Sequence, residues 1–236
     1  MREDADVETA SEGYARRFAG PVGAFFLEVQ TRLTVEALAG CSGGSVLDVG
    51  GGHAQTVGPL VEAGYEVTVF GSDAVCGTRV RPWVESGRAR FATGDLLALP
   101  YTDGSFDVAL AYRLLPHVTR WPELVREMCR VARRAVVVDY PTRRSVNAVA
   151  DMLFGLKKRV EGNTRPFTVF DDARITQAFE GCGFTVASRA PEFFWPMAFH
   201  RGLGSAGLAR ALEGVAAGLG LTRAFGSPVI LKATRD

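Results

Sequence analysis

Short apolar runs alternate with helix-like segments between residues 45 and 140. Each run is four to seven residues long and is rich in β-branched or aromatic side chains, which is typical of buried parallel strands. Five strands are predicted, at SVLDVG (45–50), YEVTVF (65–70), ARFATGD (89–95), FDVALAY (106–112) and AVVVDY (135–140). Helices are predicted at residues 53–63, 74–85 and 121–132, and Pro82 is expected to interrupt the second of them. This alternation predicts a doubly wound α/β architecture.

The rest of the chain is less regular. Helices are predicted at 146–160 and 171–181, and strands at FTVASRA (184–190) and SPVILKAT (227–234). A Gly- and Ala-rich helical insertion, about 196–221, separates these two strands. The predicted fold is therefore an α/β sheet with helices on both faces.

The N-terminal region has a different pattern from the sheet region. Residues 1–10 are charged and polar and are expected to form a frayed arm, with no apolar stretch that would indicate a secretory signal. Residues 11–38 have helical spacing of apolar positions, and Gly20-Pro21 is expected to divide them into two helices. We predict an N-terminal helical lid at 1–40 and one main domain at 41–236.

Charge and composition narrow the classes of partner. The chain has 27 Lys and Arg against 26 Asp and Glu, which argues against a nucleic-acid surface. No run is long and apolar enough to predict membrane insertion. The four cysteines and three histidines match no metal-ligand spacing, and the cysteines are typical of a reducing compartment. We expect a cytoplasmic protein that acts on a small molecule. Whether the protein forms a homodimer is left open by the sequence.

Three consecutive glycines in SVLDVGGGHAQ follow the first predicted strand. In open α/β sheets, ligands bind at the carboxyl ends of the strands. A dinucleotide-binding turn would read G-x-G-x-x-G, but Gln55 stands at the final position, and Asp48 would lie unfavourably beside a pyrophosphate. The turn is therefore predicted to approach a ligand other than a dinucleotide.

Several stretches in order along the chain resemble class I S-adenosylmethionine-dependent methyltransferases. LDVGGG is similar to their acid-x-Gly-x-Gly motif, and TGDLLALPYTDGSFDVALAYRLLPHV to their third and fourth strands. PELVREMCRVARRAVVVDYP and FEGCGFTV are similar to the elements that follow, although ARRA is shorter than the usual turn. The resemblance covers about residues 45–190. It implies a Rossmann-like, mostly parallel seven-stranded sheet with an antiparallel last strand.

The resemblance implies S-adenosylmethionine as cofactor and assigns contacts to residues after the first, third and fourth strands. These residues are Asp48, Gly50, Gly51, Gly52, Asp95, Leu96 and Tyr112. An acid can receive the ammonium of the methionine tail, and bare glycines allow the ligand to lie against the backbone. The match assigns Asp95 to the adenine amino group, Leu96 to the ring and Tyr112 to the tail. From the residues alone, the alternative role of Asp95 is to cap the turn before LLALP.

The second strand departs from the family pattern. The family usually ends this strand with an acid that binds both ribose hydroxyls, but Gly71 stands at that position. Ser72 or Asp73 would reach the ribose if the turn bulges, with Asp73 slightly favoured. Alternatively, water and backbone hold the ribose.

The acceptor side offers fewer motifs. His117 follows the fourth strand and is the candidate general base, needed only if the acceptor starts protonated; packing is its alternative role. Tyr14 is a candidate lid contact, and Arg16 or Arg17 a candidate partner for the cofactor carboxylate. His53 is expected to cap a helix or lie near the tail, and His200 to face substrate or solvent.

The segment PEFFWPMAFH (191–200) either lines an aromatic acceptor pocket or packs the core of the extra helices. We predict a methyltransferase that acts on a small, apolar or aromatic molecule at oxygen or carbon. The alternative is a methyltransferase-fold protein that binds a cofactor or a partner without catalysis. A nicotinamide dehydrogenase is disfavoured by Gln55 and by the fourth-strand motif.

Overall fold

The computed structural model describes residues 3–146 and 167–235. Its centre is one seven-stranded sheet with the order β3-β2-β1-β4-β5-β7-β6. The strands are β1 (Ser45–Val49), β2 (Glu66–Gly71), β3 (Ala89–Thr93), β4 (Phe106–Ala111), β5 (Ala132–Tyr140), β6 (Phe184–Pro191) and β7 (Val229–Arg235). Strands β1 to β5 pair in parallel, and β7 runs antiparallel to both β5 and β6. The predicted fold class is confirmed.

Helices cover both faces of this sheet. Those before β4 are α1 (Ala5–Thr9), α2 (Glu12–Ala15), α3 (Gly20–Leu38), α4 (Val57–Glu62) and α5 (Arg81–Glu85). Those after β4 are α6 (Trp121–Val131), α7 (Asp172–Glu180), α8 (Met197–Leu203), α9 (Ala206–Gly218) and α10 (Leu221–Phe225). Among the described residues, no helix is long and apolar enough to cross a membrane.

Alternate residues of β1 show how the two faces are packed. Val46 belongs to a buried cluster with Leu33 of α3 and Leu60 of α4. The next residue, Leu47, belongs to the cluster on the other face, with Leu124 of α6. Because successive side chains of a strand point to opposite faces, a continuously apolar strand implies that both faces are covered.

Several boundaries differ from the sequence expectations. Residues 3–10, the part of the predicted frayed arm that the structure describes, are not frayed, because α1 packs into the protein with Ala5 and Asp6 buried. The helical stretch predicted at 74–85 is divided as expected, into a 3-10 turn over Ala74–Gly77 and α5, and Pro82 lies in the first turn of α5, where its missing N–H costs no intrahelical hydrogen bond. The predicted helix at 53–63 is shorter, because Ala54 has a left-handed backbone conformation and α4 starts at Val57.

The remaining elements agree with the pattern. Pro21 lies in the first turn of α3, so the N-terminal region is divided as predicted. The Asp171 carboxylate accepts the Ala173 N–H at the start of α7. The insertion about 196–221 forms α8 and α9 and reaches α10. Apart from Val146, the helix predicted at 146–160 lies outside the described residues.

Candidate functional site

Asp48 lies near the carboxyl end of β1 and is completely buried. One carboxylate oxygen accepts a hydrogen bond from the Thr56 hydroxyl at 2.5 Å, and the other, Oδ1, has no partner among the described residues. Burial raises the pKa of Asp48 to about 7, against the opposing effect of the Thr56 hydrogen bond. A buried acid with an unpaired oxygen is costly unless a ligand compensates it.

The three glycines after β1 are needed for three different reasons. Gly50 has a φ of +74°, and an added methyl group would lie 2.8 Å from the Leu114 side chain. A methyl group at Gly51 would lie 2.2 Å from the Asp48 carboxyl. At Gly52 it would lie 2.7 Å from the Cys76 carbonyl oxygen and 3.0 Å from Ala10 Cβ. The glycines therefore let the turn close over Asp48 and let the N-terminal segment pack on the turn.

The end of β2 meets a carboxylate from α1. Asp6 is completely buried, and its Oδ2 accepts the Ser72 N–H at 2.6 Å and the Cys76 thiol at 3.3 Å. Its Oδ1 has no partner among the described residues. A methyl group at Gly71 would lie 2.7 Å from Cys76 Cβ and 3.4 Å from Asp6 Oδ2. The acid that faces this strand end thus comes from a distant part of the chain.

Sequence reasoning missed Asp6, because an acid in a charged N-terminal stretch is normally solvated. The other predicted residues here take ordinary structural roles in this conformation. Asp73 accepts the Val75 N–H at 2.9 Å and begins a 3-10 turn over Ala74–Gly77. Asp95 accepts the Leu97 N–H at 2.9 Å, as the turn-capping alternative predicted. Leu96 is buried in the same core cluster as Ala5 of α1.

Helix α1 covers the glycine turn. Ala10 contacts the Gly52 side of the turn, as the methyl-group distances show, and Gly51, Gly52 and His53 are all buried. His53 Nδ1 accepts the Gln55 N–H at 3.1 Å in the turn before α4, and it does not cap that helix, which follows Thr56. Burial lowers the pKa of His53 to about 4, with a further contribution from Arg113, so its ring is neutral at pH 7.

Tyr112 and Arg113 follow β4. The Tyr112 side chain is completely buried, and its hydroxyl is hydrogen-bonded to the Thr34 hydroxyl of α3 at 2.8 Å. Arg113 has a φ of +60°, which is unfavourable for a residue with a side chain. Its N–H donates to Asp139 Oδ1 at 2.6 Å, and its guanidinium pairs with Asp139 at 3.3 Å and Glu192 at 3.4 Å. Two acids therefore hold Arg113 in a strained conformation.

The side chains of Arg113, Asp139 and Glu192 are almost completely buried. The Arg113 guanidinium also donates to the Gln30 side chain of α3 at 2.8 Å. Burial raises the pKa of Glu192 to about 7 and also raises the pKa of Asp139, in both cases against the effect of Arg113. The sequence held one signal of this network, because Asp139 stands in an apolar strand just as Asp48 does.

A pocket of about 310 Å³ opens beside Arg113. Its apolar and aromatic wall includes Tyr14, Phe18, Pro116, Phe167, Pro196 and Met197. Its charged or titratable wall includes Arg17, Arg113, His117, Asp139 and Arg201. His117 belongs to a 3-10 turn over Leu115–His117, and its ring lies 5.5 Å from that of Phe167. The structure thus places three candidate residues, Tyr14, Arg17 and His117, at one pocket.

The aromatic segment before α8 is divided between core and pocket. Phe193 is buried against Phe25 and Phe26, with ring centroids 5.7 and 5.1 Å apart, whereas Met197 lines the pocket. His200 faces neither substrate nor solvent, so that expectation was wrong. It is buried, and its Nε2 pairs with Glu213 at 2.8 Å. Within the described ranges, no cluster of His, Cys, Asp and Glu is arranged to hold a metal ion.

Comparison with known proteins finds similarity in part of the chain. Residues 47–138 match the family described as a methyltransferase domain. The chain is 32% identical to demethylmenaquinone methyltransferase of Renibacterium salmoninarum over 115 residues, which cover 46% of each protein. It is 36% identical to norajmaline N-methyltransferase of Rauvolfia serpentina over 76 residues, 31% of this chain and 26% of that protein. The chain therefore matches less than half the length of these relatives.

Solved structures are similar over nearly the whole chain. Magnesium protoporphyrin IX methyltransferase from Synechocystis PCC 6803, with bound SAH, has a TM-score of 0.68 at 16% identity and covers 97% of this chain and 96% of that one. The [4+2]-cyclase SpnF has a TM-score of 0.61 at 20% identity and covers 87% of this chain and 79% of that one. At these identities, the likeness establishes the Rossmann-like methyltransferase fold.

Proposed function

We propose that this protein transfers a methyl group from S-adenosylmethionine to a small molecule. The proposal starts from the match of residues 47–138 to a methyltransferase domain. The observation that carries the proposal is the buried Asp48 carboxylate, one oxygen of which has no partner over residues 3–146 and 167–235, next to three glycines at the carboxyl end of β1. The relatives compared above support it, since their names specify small-molecule methyltransferases or include bound SAH.

The residues present fit the cofactor chemically. Asp48 Oδ1 is free to accept a hydrogen bond from the ammonium of the methionine tail, and such a partner would favour the ionised carboxylate. Gly50 and Gly52 leave backbone without side chains beside it. When bound, S-adenosylmethionine supplies a methyl carbon activated by positive sulfur. The protein's part is to align the reactants and exclude water.

Binding requires a change at α1. In this structure, Ala10 lies against Gly52, and Asp6 accepts the Ser72 N–H, so α1 covers the surface that the nucleoside would use. We propose that α1, one part of the N-terminal lid at residues 1–40, moves away from the turn when the cofactor enters, while the lid residues that line the pocket keep their places. The nucleoside can then contact Ser72, Asp73, Asp95 and Leu96. Tyr14 can then make the lid contact that the sequence predicts for it.

The pocket beside Arg113 is the proposed acceptor site. His117 lies in its wall and is the candidate to remove a proton from an acceptor hydroxyl. Tyr14, Phe18, Phe167 and Met197 offer aromatic and apolar contacts, which supports an acceptor with an apolar or aromatic body, methylated at oxygen or carbon. Cytoplasmic location, independence of nucleic acid and a homodimeric state remain predictions.

A second candidate is binding of the cofactor or a partner without methyl transfer. Two observations support this second function as an alternative. The glycine turn is covered by α1, and the fold is shared with a [4+2]-cyclase. Both functions predict affinity for S-adenosylmethionine, and they differ in whether a methyl group leaves it.

Calorimetry with S-adenosylmethionine, S-adenosylhomocysteine and NAD tests the proposal. We expect micromolar binding of the first two and none of NAD. No binding of either adenosyl compound would overturn the cofactor assignment. Transfer of label from methyl-labelled cofactor to a panel of phenols, hydroxy acids and enols then separates the two candidates. Tight cofactor binding with no labelled product across the panel would favour the non-catalytic function.

A further inference from the structure

The pocket beside Arg113 is unusually basic for a cavity with an aromatic wall. Three guanidinium groups line it, those of Arg17, Arg113 and Arg201, and Asp139 is the acid in its wall. The three arginines come from separate parts of the chain: a 3-10 turn over Arg16–Phe18, the end of β4, and α8. Whether these charges are already compensated decides what the pocket can bind.

The Arg113 charge is compensated inside the protein. Asp139 and Glu192 lie 3.3 and 3.4 Å from its guanidinium, and Gln30 accepts a further hydrogen bond at 2.8 Å. The Arg113 side chain is only 12% exposed. Arg113 therefore shapes the floor of the pocket and has little charge to offer to a ligand.

The charges of Arg17 and Arg201 are not compensated in this way. Arg17 pairs with Glu8 at 3.6 Å, but both side chains are about half exposed, and such surface pairs contribute little. For Arg201, no acid lies within ion-pair distance among the residues that the structure describes. Partial burial, and the positive charges of Arg17 and Arg113, lower the pKa of Arg201. Two cations thus line the pocket near each other.

The structure around Arg201 holds it in place. The neighbouring His200 is buried and pairs with Glu213 of α9 at 2.8 Å. Glu213 also accepts the N–H groups of Phe194 and Trp195 at 2.9 and 3.0 Å, so it ties the segment before α8 to α9. Arg201 follows directly on this anchor. Its position at the pocket is therefore set by buried hydrogen bonds, although its own side chain is exposed.

We propose that this pocket binds an acceptor that carries a carboxylate, with Arg17 and Arg201 as its partners and the aromatic wall around the body of the molecule. This inference rests on the proposed function, because it names the substrate class of the same site. Charge-assisted hydrogen bonds from guanidinium to carboxylate are short, directional and stronger than those between neutral groups. An anion at the mouth also relieves the repulsion between the two arginines.

Benzoate and benzamide test the proposal as probes of equal shape and different charge. Their affinities are measured by ligand-observed NMR, with and without saturating S-adenosylhomocysteine. We expect benzoate to bind about tenfold more tightly than benzamide, a difference of about 1.4 kcal/mol. Arg201→Gln and Arg17→Gln should each weaken benzoate binding about three- to tenfold and leave benzamide binding within twofold. The double variant should abolish the preference.

Arg223→Gln is the matched control. Arg223 is an exposed arginine of α10 that does not line the pocket, so its loss should leave the benzoate preference unchanged. Equal affinity for the two probes, or a preference that survives the Arg17/Arg201 double variant, would overturn the proposal. Thermal unfolding of each variant checks that the fold is retained.

The same experiment separates this inference from the proposed function. Binding of S-adenosylhomocysteine without any preference for benzoate would refute the carboxylate acceptor and leave the methyltransferase proposal standing. A benzoate preference that depends on the two arginines, without any binding of S-adenosylhomocysteine, would support the anion site and refute the cofactor assignment.

Discussion

The glycine turn and the Arg113 pocket lie on the same edge of the sheet, but they differ in accessibility and in charge. At the turn, α1 packs onto Gly52, and two buried acids, Asp48 and Asp6, each keep an oxygen that has no partner in the described part of the chain. At the pocket, a cavity of about 310 Å³ stays open, and the charge left over is positive, on Arg17 and Arg201. The first region is closed and acidic, and the second is open and basic.

This difference suggests how two ligands are kept apart. A ligand with an ammonium and a sulfonium is favoured on the acidic side, and a ligand with a carboxylate on the basic side. On the proposed function, the closed side binds its ligand only after α1 has moved, whereas the open side binds without that movement. Changes at single residues should therefore affect the two sides separately, and the experiments below are designed to show whether they do.

The largest effect is expected from His117→Ala on the open side. If His117 removes the acceptor proton, turnover with a hydroxyl acceptor should fall by about a hundredfold or more, because general base catalysis contributes about that much. Affinity for S-adenosylmethionine should stay within twofold, since His117 lies in the pocket wall and not at the turn. Steady-state kinetics and calorimetry measure the two quantities. An unchanged turnover would leave His117 a packing residue.

The next largest effect is expected from Asp48→Asn on the closed side. Loss of a charged partner for an ammonium should weaken binding of S-adenosylmethionine about thirtyfold, or about 2 kcal/mol. The matched control is Asp107→Asn, since Asp107 is an acid at the start of β4 that is bonded to Ser45 and Arg133. That control should lower stability slightly and leave cofactor affinity unchanged. Equal affinities of wild type and Asp48→Asn would refute the assignment.

A smaller effect is expected from pH. The pKa of Asp48 in the free protein is about 7, and the ionised form is the one that binds an ammonium. Lowering the pH from 8 to 6 protonates the carboxylate and should weaken cofactor binding about tenfold. In Asp48→Asn, this pH dependence should disappear, and the affinity should resemble that of wild type at low pH. A slope that persists in the variant would point to another titrating group.

The smallest effect is expected from loosening α1. Ala5 is buried beside Phe70 and Leu96, so Ala5→Glu places a charge in an apolar contact and should detach the helix. The association rate of S-adenosylmethionine, measured by stopped flow, should rise about threefold if opening of α1 limits entry. Val7→Glu lies on the exposed side of the same helix and is the control. A rate unchanged by Ala5→Glu would show that α1 does not gate the turn.

Much of the fold was predictable, because it depends on local patterns. Continuously apolar strands between helices require a sheet covered on both faces, and all seven strands were found where the pattern predicted them. The glycine turn and Asp48 were also visible, since a charged residue in an apolar strand demands a partner. The exact helix starts were not, because they depend on turn conformations such as the left-handed Ala54.

The packing of α1 over the glycine turn and the pairing of charged residues around the pocket were not predictable from the sequence. Asp6 meets Ser72 across 66 positions, and Arg113 meets Glu192 across 79, so no local pattern connects them. His200 could be recognised as a core residue only once Glu213 of α9 was placed beside it. Such pairs form because folding brings distant segments together, and their energies depend on burial that a sequence does not display.

Hydrophobic periodicity and backbone sterics act between near neighbours, and they are sufficient to specify the sheet, the turn after β1 and the acid beneath it. Contacts between distant segments were needed to bring α1 over this turn and to bring Arg17 and Arg201 into one pocket with Arg113. Those outcomes depend on which surfaces remain to be buried after the sheet has formed. They set which side of the site carries negative charge and which carries positive charge.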